Sequence, residues 1–511
     1  MSGSLGGKLT TLLGGGFISK LLGAVREIAL AYAFGTSYVA DAFRVAMTAL
    51  LLPTHFFTGE ALAGAFIPAY RTETGEGRVR LVRSVFTLLL LAMLFVAVAL
   101  LVAAPAFVSM LAPGFDAPTR DLSARLVRVG SAGVLLYSIS ALLINVQVAH
   151  GDYLPYSVRP SVQNVAVLAA IIAAAVWGAP VLLAVGFVAA YAVMAAWTIW
   201  RMGRSDLPVR QALRPTRNPG GPHLQVFKRS LGQLGLFVLF TQASIVVDRL
   251  VATLTGVGGV ASLDYAHFVT DSARMLLAVP IATLALGQLG GLNWLDARES
   301  VERAFAVLLF GSLLVSIFVW GLSEEIVTVL YRRGEFQATA TGLTSAALRG
   351  FALGAWAATT GYVYLRVFNA TLRNREVAIA GAVSLAVNVV LDLALYGPLG
   401  VYGVALATSV SAVVFLLLLA AWSGTVRTLL VHAGLPALLL VPLAMLLPRL
   451  PVNGLLAVLL GAGMTCAAGF LVLVAWPPLR SDLSWALARL GRRGESRSNA
   501  RNTGDGPAQE D

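Results

Sequence analysis

Long apolar stretches recur from one end of this chain to the other, and they constrain its fold more than any other feature. A helix that crosses the hydrocarbon core of a bilayer needs about 20 such residues. Of the 511 residues, 58% are hydrophobic and only 12% are charged, whereas about a quarter of the residues of a soluble domain are charged. The mean hydropathy is +0.80. The pattern therefore predicts an all-α, polytopic membrane protein.

We predict about fourteen transmembrane helices from the lengths of the apolar stretches. The predicted spans cover residues 8–34, 38–70, 84–112, 121–150, 157–177, 180–202, 229–255, 260–290, 302–331, 339–371, 376–396, 400–423, 427–447 and 453–476. Several exceed the length that a perpendicular helix needs, so we expect them to tilt, bend or project from the membrane.

The connections between these spans alternate in charge. The second, sixth and later even-numbered connections are rich in arginine. In or beside the second and sixth are Arg71, Arg78, Arg80, Arg83, Arg201, Arg210, Arg214, Arg217 and Arg229. The connections at 35–37 and 177–180 contain no lysine or arginine. The positive-inside rule then places both termini in the cytoplasm. Because this bias accounts for most of the net charge of +12, we expect no nucleic-acid partner.

An internal repeat is indicated by three polar residues with nearly constant spacing. Arg26, Asp41 and Asn164 precede Arg249, Asp264 and Asn388 by 223, 223 and 224 residues. Two similar six-helix lobes would suit alternating access around a site near the midplane. The predicted organisation is an N-lobe at 1–202, a basic cytoplasmic linker at 203–228, a C-lobe at 229–425, the thirteenth and fourteenth helices at 426–476, and a largely disordered cytoplasmic tail at 477–511.

Charged and polar residues interrupt the predicted spans of the first lobe and the eighth span. A charge at the bilayer centre costs about 2.5–3.5 kcal/mol, so it normally faces an interior cavity. The candidate substrate-binding residues are Lys20, Arg26, Asp41, Arg44, His55, Glu60, His267, Asp271 and Arg274. Arginine and lysine are the usual phosphate ligands, which favours an anion site. The alternatives are a buried salt-bridge lattice that only fixes helix packing and, for His267, a hydrogen-bonded packing residue.

A different set of polar residues occupies the second lobe. Asp248, Asn388, Asp392 and Thr408 offer two carboxylates, an amide oxygen and a hydroxyl, which are hard ligands for a small main-group cation. The same carboxylates could instead bind a proton, or Asp392 could pair with Arg249. The sequence contains no Walker A, GxSxG or HExxH pattern, so we do not expect an enzyme or an ATP-driven pump.

Several segments resemble the MviN/MurJ family in order and spacing. They are SKLLGAVREIALAYAFGTSYVADAF at 19–43, GAFIPAY at 64–70, LAPGF at 111–115, VDRLVATLTGVGGVASLDYA at 247–266, LYRRGEFQATATGLTSAALRGFALG at 330–354 and NVVLDLALYGPLGVYGVALATSVSA at 388–412. The resemblance implies a fourteen-helix flippase of the multidrug/oligosaccharidyl-lipid/polysaccharide exporter superfamily. Such a protein moves lipid II, the undecaprenyl-pyrophosphate-linked peptidoglycan precursor, from the inner to the outer leaflet of the bacterial cytoplasmic membrane.

The resemblance also implies how the sites are built. The first, second and eighth spans would form a cationic cavity, and the last two helices would form a groove for the lipid tail. A sodium site would comprise Asp248, Asn388, Asp392, Thr408 and the backbone oxygen of Val404. We therefore expect sodium or a proton as coupling ion, no other cofactor, and a monomer whose partners are lipid II, or a related polyprenyl-pyrophosphate glycolipid, and membrane lipids.

Three positions depart from the family pattern. Lys20 replaces one arginine of the family pattern, and Thr54, next to His55, replaces another. Phe268 replaces a third arginine, and Arg274 is the nearest residue that could substitute for it. Two other functions stay open, and these departures motivate the first of them. One is a flippase for another lipid-linked saccharide, of the exopolysaccharide or O-antigen type. The other is a non-transporting scaffold of the envelope-synthesis machinery.

Overall fold

The computed structural model describes residues 5–58, 60–203, 208–220, 222–289, 294–371, 373–431 and 435–484. Within these ranges the chain forms helices and turns without any strand, which confirms the all-α prediction. The helices are α1 (Leu5–Phe34), α2 (Tyr38–Thr58), α3 (Glu60–Thr72), α4 (Gly75–Val102), α5 (Ala104–Leu111), α6 (Ala117–Ala149), α7 (Leu154–Trp177), α8 (Leu182–Met202), α9 (Val209–Ala212), α10 (Pro222–Thr253), α11 (Gly259–Leu289), α12 (Trp294–Gly321), α13 (Ser323–Tyr331), α14 (Ala338–Ala370), α15 (Asn374–Ser423), α16 (Val426–Leu429), α17 (Leu435–Leu446) and α18 (Gly454–Ala475).

Some predicted spans are broken in the structure. The third becomes α4 and α5, which part at Ala103, and Pro105 stands in the first turn of α5, where its missing N–H costs nothing. The ninth becomes two helices, Phe305–Gly321 and Ser323–Tyr331, bent by 76°. The eleventh and twelfth share α15, in which Gly400 has a φ of 57° and a ψ of −139°. Glycine adopts this conformation readily, so the predicted turn at 396–400 falls at the observed break.

Six helices among the described residues are long and apolar enough to cross a membrane, or seven if the bent pair forms one span. The six are Gly75–Val102, Ala117–Ala149, Leu154–Trp177, Leu182–Met202, Asn374–Ser423 and Gly454–Ala475. The polytopic class is thereby confirmed, while the count of fourteen spans stays a prediction.

Packing divides the chain into two compact units. The first comprises Met1–Phe268, Val327–Ala347 and Leu385–Ala407, and the second comprises Val269–Ile326, Leu348–Ser384 and Thr408–Asp511. In the first unit α6 packs against α2, α4 and α8, α7 packs against α1 and α8, and α10 packs against α3. In the second unit α12 packs against α17 and α18. The predicted lobe boundaries stay predictions.

The linker and the tail contain more helix than the sequence pattern indicates. The linker prediction extends to residue 228, yet α10 begins at Pro222 and the short helix α9 lies inside the predicted linker. Proline at the first position of a helix is compatible with helical geometry, which explains the early start. Residues 477–484 are also helical, and the remainder of the predicted tail lies outside the described residues.

Small residues allow the helices of the first unit to pack closely. A Cβ atom on Gly186 of α8 would lie 3.0 Å from the carbonyl oxygen of Ala166 on α7, and one on Gly133 of α6 would lie 2.6 Å from the ring of Phe187. Small residues at helix contacts bring backbones together where lipid provides no hydrophobic driving force. The close packing holds α1, α2 and α7 in the positions from which the candidate site is built.

Candidate functional site

The buried carboxylate of Glu27 is the centre of a charged cluster in the first unit. Glu27 lies on α1 with a side chain only 3% exposed, and it forms ion pairs with Arg26 and with Arg44 of α2. Arg26 also donates a hydrogen bond of 2.9 Å to the side-chain oxygen of Asn164 on α7. A buried carboxylate needs such partners, because its desolvation is costly. Glu27 therefore fixes α2 against α1 and holds Arg26 in place.

Asp264 extends the cluster to α10 and α11. The Asp264 carboxylate accepts hydrogen bonds of 3.0 and 3.1 Å from Arg249, and it lies 3.6 Å from Nε of Arg44. Arg249 donates a further bond of 2.6 Å to the hydroxyl of Thr48. The guanidinium of Arg44 lies 5.0 Å from the centre of the Tyr265 ring, a cation–π distance. Arg26, Glu27, Arg44, Asp264 and Arg249 thus form one chain of alternating charges, here called the charge network.

The charge network retains one excess positive charge, since three arginines face two carboxylates. Its positive ends are also its most accessible parts. The side chains of Arg26 and Arg249 are 25% and 27% exposed, whereas that of Arg44 is 12% exposed. The structure therefore combines both sequence-based interpretations. The interior of the network is a salt-bridge lattice, and its two ends can offer N–H donors to an anion.

Asp41 has a different position from the one that an anion site requires. Its buried carboxylate accepts hydrogen bonds of 2.6 Å from the backbone N–H of Gly258 and 2.7 Å from that of Ala261. These groups belong to the first turn of α11 and the turn before it, where backbone N–H groups lack helical partners and the helix dipole favours a negative charge. Asp41 therefore joins α2 to the start of α11.

Replacing Asp41 with alanine is expected to lower the free energy of unfolding by about 1–3 kcal/mol, because two buried N–H groups lose their carboxylate acceptor. The matched control is Asp116→Ala, which removes the exposed cap of α6, a 3.2 Å bond from the N–H of Thr119, with an expected loss of about 1 kcal/mol. Thermal unfolding in detergent measures both variants. A smaller loss for Asp41→Ala than for Asp116→Ala would contradict this structural role.

The other candidates of the first unit are Lys20, His55, Glu60 and His267. Lys20 is exposed on α1, and His267 is exposed on α11. The ring of His55 meets that of Tyr137 edge-on at 6.4 Å, and Tyr137 in turn accepts a hydrogen bond of 3.3 Å from Arg159. The side chain of Glu60 lies outside the described residues.

Asp271 and Arg274 pair with each other in the second unit, as the helical spacing predicts. The guanidinium of Arg274 also lies 5.9 Å from the centre of the Tyr362 ring, over which Arg366 is placed at 5.1 Å. Asp271 therefore orients Arg274.

The residues of the predicted cation site carry buried oxygen atoms. Asn388 and Asp392 are fully buried on α15, and Asp248 of α10 is nearly so. The carboxylates of Asp392 and Asp248 are close enough to interact, and Asn388 accepts a bond of 2.9 Å from the hydroxyl of Ser244. Both carboxylate oxygens of Asp392 are buried without a hydrogen-bond donor among the described residues. A buried carboxylate without donors, close to a second buried carboxylate, fits a bound cation or proton.

The two other predicted ligands follow the break at Gly400. Val404 is buried in the first unit. Thr408 belongs to the second unit, so the presence of the Thr408 hydroxyl at this site stays a prediction. A Cβ atom on Gly403 would overlap the carbonyl oxygen of Leu395. The segment after the break therefore returns closely along the segment that contains Asp392. Arg249 bonds to Asp264 and Thr48, which disfavours the alternative in which it neutralises Asp392.

Several residues of the charge network were not among the predicted site residues. Glu27, Asn164, Arg249 and Asp264 each make contacts in it. The repeat spacing already singled out the last three, because each has an equivalent in the other lobe. Each of the two asparagines forms a hydrogen bond of 2.9 Å to a serine on another helix. Asn164 donates to the carbonyl of Ser19 on α1, and Asn388 accepts from the hydroxyl of Ser244 on α10. The repeat was thus a usable signal for the site.

Comparison with known proteins identifies similar sequences over most of the chain. The family model described as lipid II flippase MurJ matches residues 30–455. A protein named probable lipid II flippase MurJ from Rhizobium meliloti (strain 1021) is 28% identical over 496 residues, covering 93% of this chain and 87% of the relative. A protein of the same name from Thermotoga maritima is 26% identical over 401 residues, covering 78% and 81% of the two chains.

Solved structures have the same fold. A structure described as lipid II flippase MurJ in an inward closed conformation superposes with a TM-score of 0.78 at 20% identity, covering 93% of this chain and 98% of the other. An inward-facing multidrug resistance transporter of the MATE family and MOP superfamily superposes with a TM-score of 0.62 at 16% identity, covering 79% and 98%. At these identities the structural likeness establishes the fold alone.

Proposed function

This chain belongs to the lipid II flippase MurJ family, and on that premise we propose that it moves lipid II from the inner to the outer leaflet by alternating access. The family match extends over residues 30–455 and includes every residue of the charge network except Arg26 and Glu27, which precede it. The protein is an integral inner-membrane transporter and not an enzyme. From the distribution of arginine in its connections we infer that both termini are cytoplasmic.

The observation that supports this substrate is the excess positive charge of the charge network. The substrate's pyrophosphate is a strong acceptor, and an arginine can bind it through two parallel N–H bonds. Arg26 is the best-placed residue, because it is partly exposed while Glu27 and Asn164 fix its orientation. The pairing of Arg44 with two carboxylates leaves that residue as a support for its neighbours.

We propose that a sodium ion or a proton resets the transporter at Asp248 and Asp392. The supporting observations are the burial of the two carboxylates and the lack of a hydrogen-bond donor to either oxygen of Asp392 among the described residues. A cation would offset the cost of two buried negative charges, and its release would restore that cost. Asn388 and the backbone oxygen of Val404 would complete the ligands, with Thr408 as the further predicted ligand. We expect the protein to act as a monomer surrounded by membrane lipids.

A flippase for another lipid-linked saccharide is the second candidate. It is favoured by the positions that depart from the family pattern, of which Thr54 is buried and donates to the backbone carbonyl of Leu51 at 2.7 Å. A threonine held in this way supplies no positive charge. Because the pyrophosphate is common to both substrates, the charge network serves either one, and the saccharide distinguishes them.

Complementation of a bacterium depleted of its own lipid II flippase tests the proposal. The wild-type chain and Arg201→Ala are expected to restore growth, whereas Arg26→Ala should lower the growth-supporting activity at least tenfold. Arg201 is a matched control, because it also forms an ion pair with an acid, Asp152 at 2.6 Å, in the same unit. A tenfold loss corresponds to about 1.4 kcal/mol, the size of one charged hydrogen bond.

Membrane insertion of every variant is checked by immunoblot. If the wild-type chain inserts and does not restore growth, lipid II is the wrong substrate. If Arg26→Ala restores growth as well as the wild type, the charge network has no role in transport, which is the result that a non-transporting scaffold predicts.

A further inference from the structure

A cavity of about 870 Å³ lies in the first unit between the start of α4 and the linker that follows α8. Its lining is rich in basic and polar groups and includes no member of the charge network. The charged and linker residues of the lining that matter here are Glu76, Arg78, Arg80, Arg83, Thr216 and Asn218. Three arginines and one glutamate in this lining leave a clear excess of positive charge.

Two of these arginines are held in place by backbone acceptors. Arg78 donates to the carbonyl of Glu73 at 2.7 Å, and its guanidinium lies 5.3 Å from the centre of the Tyr70 ring. Arg83 donates to the carbonyls of Arg214 and Pro215 in the linker at 2.9 and 3.4 Å. Arginines fixed in this way lose little entropy when they bind an anion. The linker is therefore attached to the cavity wall through Arg83.

The beginning of α4 adds to the positive potential. Gly75 and Glu76 line the cavity, and the side chain of Thr74, the N-cap residue, makes no capping hydrogen bond. The N-terminus of a 28-residue helix has a partial positive charge and backbone N–H groups that suit an anion. The carboxylate of Glu73 lies beside Gly77 in this first turn, although Glu73 is not part of the lining.

Polar groups of the linker complete the cavity. Thr216 donates its backbone N–H to the hydroxyl of Thr87 at 3.0 Å, and the hydroxyl of Ser84 donates to the carbonyl of Gly220 at 3.4 Å. His150 contacts the hydroxyl of Tyr70 at 3.3 Å and the carbonyl of Val146 at 2.9 Å. The wall that carries Arg78, Arg80 and Arg83 is thus joined to the wall that carries Thr216 and Asn218.

We propose that this cavity is a binding site for a phosphate-bearing anion, which holds the linker at 208–220 against the start of α4. The phosphate belongs either to the headgroup of an acidic membrane lipid or to a soluble phosphate compound. Arg78 and Arg80 supply charged donors, and Arg83 connects the bound anion to the linker. The site is separate from the residues proposed for transport, so either assignment can fail without the other.

Pyrophosphate binding to the purified full-length protein tests the proposal. Inorganic pyrophosphate is expected to raise the thermal unfolding midpoint of the wild type in uncharged detergent, with an affinity that falls as salt screens the charges. Arg80→Gln should weaken the affinity at least tenfold, because a charged donor is lost. Arg80 is exposed, so its replacement leaves the packing intact. Arg80→Lys should retain most of the affinity, and Glu76→Gln should increase it.

Two controls locate the bound anion. Arg217 lies between the lining residues Thr216 and Asn218 but does not line the cavity, so Arg217→Gln should bind pyrophosphate as the wild type does. Arg26→Ala removes the proposed transport site, where pyrophosphate can also bind, and should leave intact the binding that Arg80→Gln weakens. A loss in Arg26→Ala with retention in Arg80→Gln would place the anion at the charge network and overturn the proposal.

Nanodiscs distinguish the two sources of phosphate. Nanodiscs of phosphatidylglycerol and phosphatidylcholine are compared with nanodiscs of phosphatidylcholine alone. If the acidic lipid stabilises the wild type and Arg217→Gln but not Arg80→Gln, and pyrophosphate has no effect, the ligand is a lipid headgroup. If pyrophosphate stabilises the wild type and Arg217→Gln but not Arg80→Gln, and the acidic lipid has no effect, the ligand is a soluble phosphate compound. If neither probe distinguishes Arg80→Gln from Arg217→Gln, the cavity is not a phosphate site.

Discussion

Replacing Glu27 with alanine is expected to lower the free energy of unfolding by about 3–5 kcal/mol, the cost of leaving a buried ion pair without one partner. Glu27 is 3% exposed and is the shared partner of Arg26 and Arg44. Its loss would leave the two guanidinium groups without their shared partner, and Asp264 would be the remaining carboxylate of the network. Thermal and denaturant unfolding in detergent measure the effect, and lipid II transport should fall with it because Arg26 loses its orientation.

The matched control for Glu27 is Glu324→Ala. Glu324 also lies near an arginine, Arg349, but it is 63% exposed and the two side chains are 3.9 Å apart. Exposed ion pairs contribute about 0–1 kcal/mol, so this variant should be nearly neutral. A double-mutant cycle with Arg44→Gln separates the pairwise energy from the loss of packing. The proposed role of Glu27 in the charge network would be contradicted by equal losses of unfolding free energy for Glu27→Ala and Glu324→Ala. It would also be contradicted by a coupling energy of zero between Glu27 and Arg44.

Replacing Asp392 with asparagine is expected to abolish stabilisation by the coupling ion while preserving the shape of the side chain. If sodium is that ion, sodium chloride should stabilise the wild type relative to choline chloride by about 2.7 kcal/mol at one hundred times the dissociation constant. The variant should be equally stable in both salts, because a ligand oxygen and a negative charge are lost. Its transport should fall at least tenfold.

Asp152→Asn is the control for this second prediction, since Asp152 pairs with Arg201 and is 32% exposed. It should respond to sodium as the wild type does. If a proton is the coupling ion, neither salt affects the wild type, and its stability instead depends on pH in a way that Asp392→Asn removes. Equal behaviour of Asp392→Asn and the wild type under both conditions would exclude this pair of carboxylates as an ion site.

The sequence predicted the helices well because membrane-length apolar stretches have few alternatives. The observed α7 (Leu154–Trp177) and α18 (Gly454–Ala475) lie within a few residues of the predicted 157–177 and 453–476. The turn near Gly400 was also located, since glycine and proline interrupt the apolar pattern there. The repeat spacing identified Arg249 and Asp264 as equivalents of Arg26 and Asp41, although the two acids differ in their contacts.

The contacts within the site could not be read from the sequence. Asp41 binds backbone N–H groups more than two hundred residues away, and a backbone donor leaves no trace in a pattern of side chains. Glu27 is adjacent to Arg26 in sequence, yet its second partner depends on how α2 packs against α1. The compact units also combine distant stretches of the chain, because helix packing does not follow chain order.

The most direct test of the transport assignment is the leaflet distribution of lipid II in cells whose only lipid II flippase is this chain. An externally added enzyme that cleaves the headgroup reports the fraction in the outer leaflet. With the wild-type chain, lipid II should be cleaved from outside, and with Arg26→Ala that fraction should fall at least tenfold while the protein stays in the membrane. If lipid II remains protected in cells that contain the inserted wild-type protein, the chain does not transport it.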